Sequence, residues 1–144
     1  MKIISHRGNV SGSDKSIENN PKQIDRVLNL GFDVEIDLHF HDNDYYLGHD
    51  GPQYLIDKYW LLNRKNNLWV HLKTIELADF AVVRELNYFW HENDKFTLTS
   101  RGIPWCYPGV YLKHGVSVIL TDEFITKDIF GVCTDYPLMC EKKL

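Results

Sequence analysis

An α/β fold with its chemistry at strand ends is what these 144 residues predict, on three patterns. Phe32 to His39 alternates with period two, which puts Val34, Ile36 and Leu38 on one face of a strand and the carboxylates of Glu35 and Asp37 on the other. Short apolar runs end on bases: Lys2 to Ser5 leads into His6, Arg7 and Gly8, and the run from Leu68 carries His71 and stops at Lys73. Between such runs, apolar residues recur at helical spacing over 21–30 and 74–86.

The elements follow in order. After the first strand, Ser16 to Asn20 supplies cap-type residues and Pro21 suits an early helical position. Ile24, Val27, Leu28 and Leu30 then form a stripe that stops at Gly31. Tyr45 to Leu47 is a second short apolar run, delivering His49 into the turn-rich segment 48–52. Tyr54 to Asn63 reads as a short helix. Thr74 can cap a longer one to Leu86, with Leu77, Phe80, Ala81 and Val83 on a mostly apolar face. Beyond Asn87, apolar runs at 88–90, 96–98, 110–112, 116–120 and 129–133 are separated by a few polar or turn residues, connections too short for crossover helices.

One domain spanning 1–144 is expected from this length, without internal repeat or linker. A hydrophobic fraction of 44% and a charged fraction of 25% are those of a soluble globular protein. The net charge of −4 argues against a nucleic-acid partner, which needs a basic footprint. No apolar stretch approaches the length of a membrane span and no signal peptide precedes His6, so a cytoplasmic protein with no integral membrane segment is expected. Cys106, Cys133 and Cys140 lack metal-type spacing and read as reduced thiols, Cys133 as strand core. His39, His41 and His114 read as surface residues, 141–144 as a solvated tail, and oligomeric state has no sequence signature here.

Two carboxylates side by side repel and resist desolvation, so Glu35 and Asp37 need solvent, a base or a cation to compensate them. Two readings are open: the wet outer face of an antiparallel sheet, or a metal or catalytic site. Several histidines at successive strand ends favour the second, because ligand sites in parallel α/β proteins gather at the C-terminal edge of the sheet.

The order His6-Arg7-Gly8, Glu18-Asn19, Glu35-Ile36-Asp37, His49-Asp50, Lys73 and Cys133-Thr134-Asp135-Tyr136-Pro137 resembles the motifs of glycerophosphodiester phosphodiesterases. The match is specific through His49 and thinner afterwards. The resemblance implies a TIM-type (β/α) barrel. Because this chain is much shorter than the roughly 250 residues usual for that fold, the expected form is a reduced barrel with most outer helices missing from its C-terminal half. An open α/β sheet is the alternative. At the position of the family's third acidic metal ligand this chain has His71.

The resemblance further implies a metal-dependent hydrolase of a small phosphodiester. Catalysis would fall to His6, His49, Arg7 and Lys73. One divalent cation would be held by Glu35, Asp37 and His71 or Glu18: magnesium, calcium or manganese, with zinc admitted by the imidazole. Asn19, His91, Trp105 and Asp135 are the expected substrate contacts. Trp105 and Tyr107 would stack on a head group or plug a barrel end, and Arg101 would bind an anion or sit in an exposed turn. The chemistry fits the residue types: the cation, Arg7 and Lys73 neutralise the phosphate, and two imidazoles exchange protons on opposite sides of phosphorus. Two other readings compete. A catalytically weak phosphate-ester-binding module is suggested by His71 and the missing helices. A membrane-surface phospholipase is disfavoured by the lack of a basic or amphipathic insertion segment.

Overall fold

The computed structural model describes residues 1–123 and 128–144. Its elements are β1 (Lys2–His6), α1 (Pro21–Asn29), β2 (Asp33–His41), β3 (Asp44–Leu47), β4 (Tyr54–Ile56), α2 (Lys58–Leu62), β5 (Leu68–Leu72), a 3-10 turn (Ile75–Asp79), α3 (Ala81–Arg84), β6 (Asn87–Phe89), β7 (Phe96–Leu98), β8 (Pro104–Cys106), β9 (Val116–Ile119), β10 (Gly131–Thr134) and α4 (Pro137–Lys143). Parallel pairing gives the order β6-β5-β2-β1-β10-β9-β8, to which β7 adds antiparallel at the far edge. The C-terminal half of β2 extends beyond β1 and carries the antiparallel strands β3 and β4.

The reduced TIM-type barrel is not what forms. The molecule is a curled, half-barrel sheet: among the described residues no ladder joins the edge strands β6 and β7, and the four α-helices are short. The reason lies in the connections. Segments 90–95, 99–103 and 107–115 form no helix, so among the described residues only α4, through Cys140 against Ile119 and Val132, covers the outer face of the second half. Parallel pairing of β8 with β9 survives with only the irregular loop 107–115 between them. The two edges approach where Ser100 N donates to the Tyr88 carbonyl at 2.7 Å. Curling also brings Phe89 of β6 onto Trp105 of β8, with ring centroids 4.5 Å apart.

Period two on β2 sorts the two faces. Val34, Ile36 and Leu38 face outward into a core with Ile24 and Val27 of α1, Leu61 of α2, and Leu72 and Leu77. Each fully buried aliphatic side chain contributes about 1.5–3 kcal/mol there. The concave face holds Ile4, Trp69, Phe89, Trp105, Val116 and Cys133. Asp33, at the N-terminal end of this face, is buried but satisfied by Lys2 Nζ (2.7 Å), Asn67 Nδ2 and Trp69 Nε1 (both 2.9 Å). Glu35 and Asp37 therefore line the inside of the curl, which overturns the wet-outer-face reading.

Helix α1 forms as expected, with Asn20 Oδ1 accepting from Lys22 N (3.0 Å) and Pro21 at the first position. The expected helix over 74–86 breaks in two. Phe80 is extended (φ −77°, ψ 133°) because its ring packs edge-on against Phe40 at 4.7 Å, while Thr74 Oγ1 accepts from Phe40 N instead of capping. Residues 54–56 are strand rather than helix, and Asp57 caps only the short α2. The run 110–112 is irregular and 104–106 is strand β8; the tail 141–144 is exposed as expected, its first three residues being the last of α4. His39 is half-buried rather than superficial, its Nε2 bonding the Gly48 carbonyl at 2.7 Å. Cys106, Cys133 and Cys140 are free and buried. No helix among the described residues is long and apolar enough to cross a membrane.

Candidate functional site at the C-terminal ends of the parallel strands

Register assembles the site. β1 sets His6 opposite Glu35, and β5 sets His71 opposite Asp37, so three adjacent parallel strands deliver their polar residues to one end of the curl. There a cavity of about 530 Å³ is lined by His6, Arg7, Glu35, His49, His71 and Lys73 on one side and by Phe89, His91, Trp105, Tyr107, Val118 and Leu120 on the other.

The carboxylates are buried, Glu35 to 3% exposure and Asp37 to 0%. Asp37 is held from several directions. Asn19 donates Nδ2 to its Oδ2 (2.9 Å) and accepts from its backbone N–H (2.9 Å). Arg7 Nε lies 2.9 Å from Oδ2, misaligned for a hydrogen bond, and Lys73 Nζ lies 3.6 Å from Oδ1. Burial alone would raise the Asp37 carboxyl. His71, Arg7 and Lys73 more than offset it and hold Asp37 below the usual carboxylate range. Glu35 goes the other way, pushed up by burial and then by the Asp37 charge.

The imidazole of His71 completes a trio. Its Nδ1 lies 3.2 Å from Asp37 Oδ1 and 4.0 Å from Glu35 Oε1, and one ligand atom from each of the three residues falls within 4.8 Å of the others. Its Nε2 is 3.0 Å from the His91 carbonyl, which can only accept, so Nε2 carries a proton and Nδ1 is the ring nitrogen turned toward the carboxylates, the one a cation would take. Glu35 Oε2 and Asp37 Oδ1 are buried without a hydrogen-bond partner. Two orphaned carboxylate oxygens and an imidazole nitrogen are a donor set that fits a divalent cation.

His6 Nδ1 is 2.8 Å from Asp135 Oδ1. Burial disfavours the imidazolium, but Asp135 and then Glu35 outweigh it and raise the titration of His6. The turn beyond is unusual. Arg7 and Asn19 both occupy the left-handed region (φ 55° and 59°), joined by Asn19 N–H to the Arg7 carbonyl at 2.9 Å. Glu18 does not join the trio. It accepts from Asn9 Nδ2 (3.0 Å), Ser13 Oγ (2.9 Å) and Arg7 Nη1 (3.4 Å); burial opposes its charge, but these donors hold it below its ordinary range. His49 sits on the rim, 43% exposed, with Nδ1 2.7 Å from Asp50 Oδ1. Gly48 fixes that rim, because a Cβ there would meet the Gly51 carbonyl at 2.0 Å.

The structure thus gathers His6, Arg7, Glu35, His49, His71, Lys73, His91 and Trp105 at one cavity. Glu18, Asn19 and Asp135 lie behind its wall, where they orient Arg7, Asp37 and His6 respectively; Arg101 is exposed and does not line it. His91 has both ring nitrogens buried and unpartnered, its ring tilted on Tyr107 at 5.9 Å. Sequence reasoning missed Asn9, whose Nδ2 bridges Glu18 and Asp135 (2.8 Å to the latter), and Phe89, which stacks between His71 (5.0 Å) and Trp105. Phe89 was findable as the inward residue of a strand ending at His91. Asn9 carried no such signal. No protein-family model, curated protein or solved structure matches the chain.

Proposed function

We propose that this chain is a divalent-cation-dependent phosphoric diester hydrolase acting on a glycerophosphodiester or a related alcohol-phosphate diester. One observation carries the reading: two buried carboxylate oxygens without a hydrogen-bond partner and Nδ1 of His71 converge at a cavity that also presents three further histidines, an arginine and a lysine. A cation held by Glu35, Asp37 and His71 would draw off phosphoryl charge. Arg7 supplies a planar fork to the phosphoryl oxygens and Lys73 a point charge. His6, oriented through Nδ1 by Asp135, leaves Nε2 for proton transfer, and His49 on the rim is the second exchanger. One water is consumed. Its oxygen bonds to phosphorus, its proton passes to one imidazole, and the P–O ester bond breaks as the departing alkoxide takes a proton from the other, leaving a phosphomonoester and an alcohol.

The reading carries with it a small phosphodiester as partner and a cytoplasmic setting, the latter supported by three free, buried thiols. Anomalous diffraction from manganese-soaked crystals, with turnover of manganese-loaded protein on bis(4-nitrophenyl) phosphate and glycerophosphodiesters, tests it. Expected are one manganese at the trio and cleavage that chelation abolishes. No cation at Glu35 and Asp37, or cleavage indifferent to chelator, sinks it. Cation and diester binding without turnover would select the binding module instead, a reading favoured by the exposure of His49.

A further inference from the structure

A second cavity, of about 330 Å³, adjoins the first and shares Arg7 and His49 with it as a common wall; Lys15, Glu18, Asp50 and Gln53 line its other side. The two chambers differ in chemistry. Away from the strand-end charges, the larger one has a continuous apolar wall of Phe89, Trp105, Tyr107, Pro108, Val118 and Leu120, with His91, Glu92 and Asn93 as its remaining polar lining. Trp105 and Phe89 form its buried floor, while Tyr107 (49% exposed) and Leu120 (41%) stand at its mouth. The smaller one has no aromatic or aliphatic wall apart from Pro52, and among the described residues Lys15 there has no ion pair or hydrogen bond.

A phosphodiester has two arms leaving one phosphorus in different directions, and here Arg7, a phosphate-binding candidate, and His49, a proton-exchange candidate, form the ridge between a chamber with an apolar wall and a polar one. We infer that the site takes an asymmetric diester: a bulky, apolar or aromatic arm lies against Trp105, Tyr107 and Leu120, and a compact, hydroxylated arm lies beside Lys15 and Gln53. This rests on the functional reading above but specifies what that reading leaves open. An aromatic arm packed on Phe89, Trp105 and Tyr107 removes apolar surface from water. A hydroxylated arm laid on that apolar wall would lose hydration without gaining partners, whereas beside Lys15, Asp50 and Gln53 it keeps them.

Phosphinates, with two uncleavable P–C bonds, separate binding from turnover. Calorimetry on the manganese-loaded and metal-free protein would compare benzyl(2,3-dihydroxypropyl)phosphinate with its methyl(2,3-dihydroxypropyl) and benzyl(propyl) counterparts. The benzyl arm is expected to improve affinity at least tenfold over methyl, and Tyr107→Ala or, independently, Leu120→Ala to reduce that factor below about threefold. The dihydroxypropyl arm is expected to improve affinity about three- to tenfold over propyl. Lys15→Ala or Gln53→Ala should erase that gain and leave the benzyl factor as it was. Equal affinities across the three compounds, failure of all three to bind, or wall variants that alter both arm factors alike would overturn the inference. Cleavage of simple diesters without arm preference would defeat it while sparing the catalytic reading; arm preference without any cleavage would do the reverse.

Discussion

Replacing Glu35 by Gln should make the metal-free protein more stable, which is unusual for a buried, hydrogen-bond-capable residue. The Glu35 and Asp37 ligand oxygens lie within 4.8 Å of each other. At an effective dielectric of about 20, two unit charges at that distance repel by roughly 3 kcal/mol. Arg7, Lys73 and His71 return part of this, so a net gain of about 1–2 kcal/mol is expected for Glu35→Gln near pH 8. For a chain of this size that raises Tm by about 3–8 °C. The amide keeps the side-chain volume and can donate toward the orphaned Asp37 Oδ1. The pH dependence has a definite sign. The folded Glu35 carboxyl titrates above its unfolded value, so its contribution is fully present below the unfolded pKa near 4.3 and is lost as pH rises through the folded pKa. Asp37 is shifted the opposite way: its stabilisation is complete above the unfolded value near 3.9 and is lost only as pH falls, so it does not interfere above pH 5. His6, whose raised titration rests partly on the Glu35 charge, stabilises the variant less than the wild type below pH 6.5; that difference fades as pH rises through the folded pKa, so it widens the gap in the same direction. Thermal unfolding in chelator at pH 5 and pH 8 should therefore show the gap between variant and wild type widening with pH. Added manganese should raise Tm of the wild type and leave the variant nearly unmoved. A variant less stable than wild type at both pH values, or equally stabilised by manganese, would refute the account of Glu35 as a carboxylate held ready for a cation.

Three further outcomes follow from the same geometry. Asp135→Asn should lower kcat about 100-fold with little change in KM, and should shift the His6 limb of the pH–rate profile downward, because Asp135 both orients His6 and raises its titration; an unshifted limb would reduce Asp135 to a purely structural bond. His91→Leu should stabilise the fold by about 1 kcal/mol in chemical denaturation by removing two unpartnered buried nitrogens, and should weaken binding of diesters. His71→Glu should move preference from manganese or zinc toward magnesium and flatten the loss of metal affinity at acid pH, where protons compete for the imidazole. Identical metal curves for wild type and His71→Glu would make His71 a bystander.

The part of the site that was legible is the part written in local pattern. Period two on 33–38 fixed which side of β2 carries the acids, and bases terminating apolar runs marked His6, His71 and Lys73 before any pairing was known. Helix α1 announced itself through Asn20, Pro21 and its stripe. What escaped depends on contacts far apart in sequence. Asp135 was identified as a site residue, but its role behind His6 depends on β1 pairing with β10, 129 positions away. Glu18 has the right chemistry for a ligand, yet Asn9 and Ser13 claim its Oε1 and Arg7 its Oε2. The helix over 74–86 had the correct period and failed because Phe80 gains more from Phe40 and Tyr45 than from continuing the helix. The fold class was misjudged for a related reason: strand runs specify a curled sheet, but closure needs edges that meet along a ladder, and β6 and β7 do not.

The bond from His71 to residue 91 is made to a main-chain carbonyl, not to a side chain. Position 91 can therefore change its identity without releasing the tautomer that His71 presents to the acids. The side chain at 91 lines the larger cavity while its backbone serves the trio, so the cavity wall and the candidate cation site are separately mutable at a single residue. A lineage, or a designer, could vary the wall at 91, 107 and 120 to admit new arms while the proton arrangement on His71 stays as it is.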